Sequence, residues 1–104
     1  MKTVTAIVEQ KKDKKRVNVY LDGEFCCGMD LFTVISERIK VGTEIDEKRL
    51  EEVVAMSEYS SALDKALGYI SKTMRTKVQL ITYLKGKNYD GKTIAKVIDK
   101  LFEY

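Results

Sequence analysis

The apolar residues of this chain change period near its middle, and that change sets what the chain can fold into. Before residue 30 they recur at every second position, and from Asp46 onward at every third or fourth. The first period belongs to half-buried strands and the second to amphipathic helices. Residues 3–10 alternate around Val4, Ala6 and Val8, and Val17, Val19 and Leu21 alternate with Asn18, Tyr20 and Asp22. Between them, Lys11-Lys12-Asp13-Lys14-Lys15-Arg16 carries five positive charges and no apolar residue, and reads as a hairpin loop. Asp22-Gly23 predicts a tight type I′ turn, because both residues tolerate positive φ. Glu24 to Met29 completes a three-stranded antiparallel meander with one apolar face.

A sheet this small needs a helix over its apolar face. Asp30 can cap one, Leu31, Phe32, Ile35 and Ile39 follow at helical spacing, and Gly42 is placed to end it. Residues 1–45 therefore read as a β-rich N-terminal subdomain. Residues 46–57 read as a connecting helix with Leu50, Val53 and Val54 as its stripe. Met56, Tyr59, Leu63, Ala66, Leu67, Ile70 and Met74 form a second stripe, roughly a third of a turn out of phase with the first. Either the helix breaks near Ser57–Ser61, or one long helix serves two cores. Thr76-Lys77-Val78-Gln79 has the pattern of a capping box, followed by Leu80, Ile81 and Leu84, with Gly86 or Asn88 able to end that helix. Asp90 caps a last helix striped by Ile94, Val97, Ile98 and Leu101. Residues 58–104 thus form a predicted three-helix unit. The expected fold class is α+β: a small three-stranded antiparallel sheet with a covering helix, followed by a three-helix unit.

The 104 residues have room for one domain or two small subdomains. Histidine is absent, and the two cysteines, Cys26 and Cys27, are adjacent. The commonest general base near neutral pH is therefore missing, as are CxxC redox chemistry and a four-ligand zinc site. No nucleophile–base pair, phosphate loop or metal cluster is visible, so the expectation is a binding protein, not an enzyme, with no cofactor and no small-molecule substrate. No apolar run reaches the roughly 18 residues of a membrane span, and the start is too quickly charged for a secretory signal. A cytoplasmic location is the default expectation. The formal net charge of +3 is uneven: residues 1–43 carry +2, residues 44–64 carry −5 and residues 65–104 carry +6. A basic C-terminal segment suits an anionic partner such as nucleic acid, a nucleoprotein or an acidic protein surface.

Three groups of cations are candidate partner-binding residues. Lys72, Arg75 and Lys77 cluster at the turn before the capping box. Arg75 leads them, because a planar guanidinium pairs bidentately with carboxylate or phosphate; the alternative is internal pairing that only orients the turn. Lys85 and Lys87 sit at the next turn, where the helix dipole alone would also favour lysine. Lys11, Lys12, Lys14, Lys15 and Arg16 make the densest patch, which either meets phosphates or blunts the sheet against edge pairing. Lys92, Lys96 and Lys100 form a stripe partly neutralised by Asp99 and Glu103, and are not favoured. Tyr69, Tyr83 and Tyr89 could stack on bases, although their helical context favours packing with a polar tip. The carboxylates of residues 44–58 lack the spacing of a calcium loop and read as a solvated face.

The helical half resembles the RecX family, regulators of the RecA recombinase. Two Ala-Leu pairs, Ala62-Leu63 and Ala66-Leu67, match the start of that family's helical repeat. Arg75-Thr76-Lys77-Val78-Gln79-Leu80 matches its Arg-(Ser/Thr)-x-x-(Glu/Gln)-Leu stretch. Leu84, Lys87-Asn88-Tyr89, Ile94, Val97 and Leu101 match the segments that follow. The leader, with Gln10-Lys11-Lys12 and Arg16-Val17-Asn18-Val19-Tyr20-Leu21-Asp22-Gly23-Glu24-Phe25, is similar to the β-rich leader of some members. Asn88 stands where Gly is usual, Met74 stands where Pro is common, and one helical repeat fits where members usually have three. The resemblance implies either a piece of a longer protein or an unusually short member, binding to RecA and its nucleoprotein filament, mainly inhibition of the recombinase, and a place in DNA repair and the SOS response. A reading from another class is a direct DNA- or RNA-binding module of helix-turn-helix type, resting on the short helix from Lys77 and the basic hairpin loop. It would bring DNA contact that falls steeply with salt.

Overall fold

A computed structural model describes residues 1–102. The chain runs β1 (Lys2–Glu9), β2 (Arg16–Leu21), β3 (Glu24–Asp30), α1 (Leu31–Ser36), β4 (Glu44–Ile45), α2 (Glu47–Ile70), α3 (Lys77–Gly86) and α4 (Gly91–Leu101). It divides into two units, Met1–Ser57 and residues from Glu58 onward. The α+β class expected from the sequence is what the structure has.

In the first unit the sheet has four strands, in the order β3-β2-β1-β4, all antiparallel. The fourth strand is only two residues, Glu44 and Ile45, paired with Thr3 and Lys2. It is too short for a period-2 signal, which is why the sequence suggested three strands. The Asp22-Gly23 turn has φ of 51° and 83°, as the tight hairpin requires. Strand β2 alternates as expected, with Val17, Val19 and Leu21 all buried.

Strand β1 does not keep its alternation. Val4 pairs with Leu21 and Ala6 with Tyr20, so Thr5 is an extra residue, a β-bulge. A one-residue insertion moves every later side chain to the other face. Ile7 therefore packs on the core, while Val8, expected inside, is exposed. The Thr5 hydroxyl uses the bulge: it donates to the Tyr20 carbonyl at 3.3 Å and accepts from the Gly23 N–H at 2.9 Å. A second bulge leaves Cys26 unpaired between Phe25 and Cys27. Cys27 packs against the core and Cys26 is exposed.

Helix α1 is shorter than its apolar spacing suggests and turns a different face inward. Asp30 caps it by accepting from the Thr33 N–H. It ends at Ser36 because Arg38 already takes the left-handed conformation at φ 56°; Gly42, also at positive φ (96°), turns the chain only after the helix has ended. The Ile39 N–H then bonds the Val34 carbonyl at 2.9 Å and returns the Ile39 side chain to the core, a Schellman-type ending. The expected stripe needed the helix to run through Ile39. Instead Thr33 and Val34 are buried, while Phe32 and Ile35 are 70% and 67% exposed.

Helix α2 is continuous over 24 residues, so no break occurs near Ser57–Ser61. Asp46 opens it by accepting from the Arg49 N–H at 2.7 Å. Leu50, Val53 and Val54 join the first core, whose centre is Val4, Val19, Met29 and Val53.

The second unit is built around Ala62, Ala66, Leu80, Leu84, Ile94, Val97 and Ile98. Ala62 and Ala66 are wholly buried, whereas Met56 and Leu67 of the expected stripe are exposed and Met74 lies beyond the helix end. Small residues at these positions let neighbouring backbones approach closely, so the buried line follows the alanines. The capping box at Thr76 forms as read from the sequence, with 3.1 Å and 2.8 Å bonds. Helix α3 ends with Asn88 at φ 68°, and the Tyr89 N–H reaches the Leu84 carbonyl at 3.3 Å. Asn88 thus does the work of the more usual glycine. Asp90 caps α4, accepting from the Thr93 N–H at 2.8 Å.

Candidate functional site

Four cations of the second unit, Lys65, Arg75, Lys77 and Lys87, lie over aromatic rings. The rings of Tyr69, near the end of α2, and Tyr83, on α3, stack 4.1 Å apart and 9° from parallel. The Arg75 guanidinium carbon lies 4.2 Å from the Tyr69 centroid, and the Lys87 Nζ lies 5.6 Å from that of Tyr83. Two rings this close leave no room for a third group between them, so the guanidinium covers the outer face of Tyr69. The result is a column, Arg75–Tyr69–Tyr83–Lys87, that holds two sequence-predicted cations at its ends. The chain enters this geometry because Thr76 caps α3 directly after Arg75, fixing the backbone on one side of the guanidinium.

Arg75 is half-buried, and its Nε is buried with no hydrogen-bond partner among the described residues. Stacking on Tyr69 replaces the internal carboxylate that the sequence allowed as an alternative. Lys77 turns its Nζ to 5.4 Å from the Phe102 ring, while Lys72 and Lys85 are exposed. Lys65, which the sequence reading did not single out, sits 5.8 Å from the Tyr89 ring, whose hydroxyl is 2.7 Å from that of Ser61. Among the described residues none of the five candidate cations of this unit forms an ion pair; the ion pairs present join Arg49 to Glu37 at 2.6 Å and to Glu52 at 3.5 Å. Arg49 itself is raised above the ordinary arginine range, chiefly by its hydrogen bond to Glu37.

The hairpin cations belong to the first unit. Asp13 organises their loop, its carboxylate accepting from the Lys15 N–H at 3.0 Å and its carbonyl from the Arg16 N–H at 3.2 Å. Lys11, Lys12, Lys14 and Lys15 are exposed. Arg16 lies back across the sheet beside Gly28, where an added Cβ would stand 3.4 Å from its Nη2. Arg16 is therefore the least available of the five. A cleft of about 370 Å³ in the same unit, lined by Met1, Lys2, Leu21, Ile45, Asp46, Glu47 and Leu50, contains none of the candidate residues. Among the described residues no group of His, Cys, Asp or Glu could hold a metal ion, and no helix is long and apolar enough to cross a membrane.

The structure is a sheet-based head followed by a helical unit whose turn cations lie over aromatic rings. Residues 2–46 match the family described as "Regulatory protein RecX N-terminal domain", and residues 62–101 match "RecX, first three-helix domain". The chain belongs to the RecX family of regulatory proteins. It is 37% identical to a regulatory protein RecX of Clostridium tetani over 97% of its own length and 47% of that protein's. A Staphylococcus saprophyticus relative of the same name is 35% identical, over 99% of this chain and 38% of the relative. A crystal structure of regulatory protein RecX superposes with a TM-score of 0.71 at 29% identity, over 97% of this chain and 49% of that one. The chain thus spans half or less of the length of these relatives.

Proposed function

We propose that this chain binds RecA, or the RecA–DNA filament, and damps recombinase activity through the cations of its helical unit. The reading rests on membership in a family whose members are named regulatory proteins. One observation carries it to particular residues: Arg75, Lys72, Lys77, Lys85 and Lys87 stay free of ion pairs among the described residues, and Arg75 is braced by Tyr69. A charge held by stacking keeps its hydrogen-bonding edge for a partner. Lys11, Lys12, Lys14 and Lys15 offer a second contact from the head, with Arg16 contributing less. One helical unit presents only part of the surface that a multi-repeat protein would lay along a filament, so its affinity falls well below that of the longer relatives.

The test is ATP turnover by RecA on single-stranded DNA with the chain in large molar excess. Turnover should fall, and Arg75→Ala together with Lys87→Ala should restore it. An unchanged rate with the wild-type chain refutes the proposal. Tight, steeply salt-dependent binding to DNA without RecA would instead support the helix-turn-helix reading.

A further inference from the structure

We infer that the surface around Arg75 takes a carboxylate-bearing, apolar peptide segment of a partner protein, not the bases or phosphates of a nucleic acid. The inference rests on the reading that these cations form a partner-binding surface, and it names what that surface recognises. Three observations carry it.

The tyrosines are closed to bases. Tyr69 is covered by Arg75 on one side and Tyr83 on the other; Tyr83 has Tyr69 on one face and Lys87 over its ring. Single-strand recognition depends on bases stacking on open aromatic faces, and this column offers none. Lys77 and Lys65 likewise lie over Phe102 and Tyr89.

The guanidinium has one usable edge. Its Nε is buried and unpartnered among the described residues, which closes the side formed by Nε and one terminal nitrogen. The two terminal nitrogens remain as an end-on fork, with the guanidinium carbon 4.2 Å from the Tyr69 centroid. Such a fork takes two oxygens of one anionic group, carboxylate or phosphate alike, so the choice between them falls to the neighbouring side chains.

The third observation is apolar. Met74 and Val78 flank Arg75 and Lys77 within five consecutive residues and are 97% and 71% exposed. Phosphodiester backbones make no use of a methionine and a valine standing in water. A peptide in which an acidic side chain neighbours a leucine or similar residue does: its carboxylate meets the fork while its apolar group covers Met74 and Val78. Complementary charge selects the segment, and apolar contact separates it from other anions.

The experiment titrates the full chain, watched by NMR at Met74, Arg75 and Val78, with a short alternating Glu/Leu peptide and separately with a short oligothymidylate at matched ionic strength. The peptide should shift all three residues, and the oligonucleotide should leave Met74 and Val78 unmoved. Arg75→Lys, which keeps the charge and loses the fork, should weaken peptide binding about tenfold. Met74→Ser, at a position with no core contact to lose, should weaken it several-fold without changing the melting temperature. Shifts caused by the oligonucleotide and not the peptide, shifts from neither, or full affinity in Arg75→Lys would overturn the inference. The peptide arm contains no RecA, so peptide capture by a chain that leaves RecA turnover unchanged would sink the proposed function while this inference stood.

Discussion

Removing the Thr76 hydroxyl tests the link between a local cap and the placement of Arg75. In Thr76→Ala the Gln79 N–H loses its 3.1 Å acceptor, and the backbone geometry that lets Gln79 Oε1 accept from the Thr76 N–H at 2.8 Å relaxes. Both bonds are exposed, so water takes part of the load and the cost stays near that of an ordinary N-cap, about 1 kcal/mol. Gln79→Ala removes only the return bond and should cost about 0.5 kcal/mol. Because the two bonds share one backbone geometry, the double variant should cost less than the sum, with a coupling of about 0.5 kcal/mol. For a domain of this size about 1 kcal/mol lowers the melting midpoint by about 4–8 °C, measurable by far-UV circular dichroism. The chain has no tryptophan and six tyrosines, so near-UV ellipticity reports the tyrosine environments, including the Tyr69–Tyr83 stack. Thr76→Ala should reduce that signal below the melting transition, and Thr76→Ser should keep both midpoint and signal. A Thr76→Ala midpoint within about 1 °C of wild type, or strictly additive costs, would refute the claim that this box is a cooperative unit holding Arg75.

Leu84 is wholly buried in the second core, and Leu84→Ala should cost about 3 kcal/mol in denaturant unfolding; a loss below about 1 kcal/mol would mean the site collapses to fill the space. Asn88→Val places a β-branched residue at φ 68° and should cost about 1–2 kcal/mol, whereas Asn88→Gly should be close to neutral. Asp90 is held below the usual carboxylate range, first by its backbone hydrogen bond to Thr93. A depressed folded-state value means its contribution is present above the unfolded value near 4 and fades as the pH falls through the folded one. Melting profiles in acid should therefore show Asp90→Asn losing less stability than wild type below about pH 4; parallel curves would count against this.

Local chemistry was the part of the fold that the amino-acid order made readable. The Asp22-Gly23 turn, the caps at Asp30, Thr76 and Asp90, and the stripe of α4 depend on residues within a few positions of one another, and all of them form. What escaped reading came from insertions and early stops in a regular pattern. A single bulged residue, Thr5, exchanged Ile7 for Val8 on the core face, and a left-handed Arg38 cut the covering helix short. Arginine carries no signal for that conformation, whereas Gly42 four residues later does, so the sequence pointed to the wrong terminator. Ala66 is buried as its stripe requires, but Ala62, outside that stripe, is equally buried, while Met56 and Leu67 within it are exposed.

The candidate site was half legible for a related reason. Positive charge can be counted along a chain, and Arg75 and Lys87 were found that way. The rings that hold them were visible as residues but not as partners, because the meeting of Tyr69 with Tyr83 depends on how far α2 and α3 are each rotated about their axes. That rotation is set by the burial of Ala62, Ala66, Leu80 and Leu84, which form the core of this unit. Packing at the alanines therefore decides whether the rings stack, stacking decides which edge of Arg75 stays open, and in the proposed reading that edge selects the anion. Enlarging Ala66 to Leu, at a position with no exposed area, should for that reason disturb binding at Arg75 without touching a charged residue.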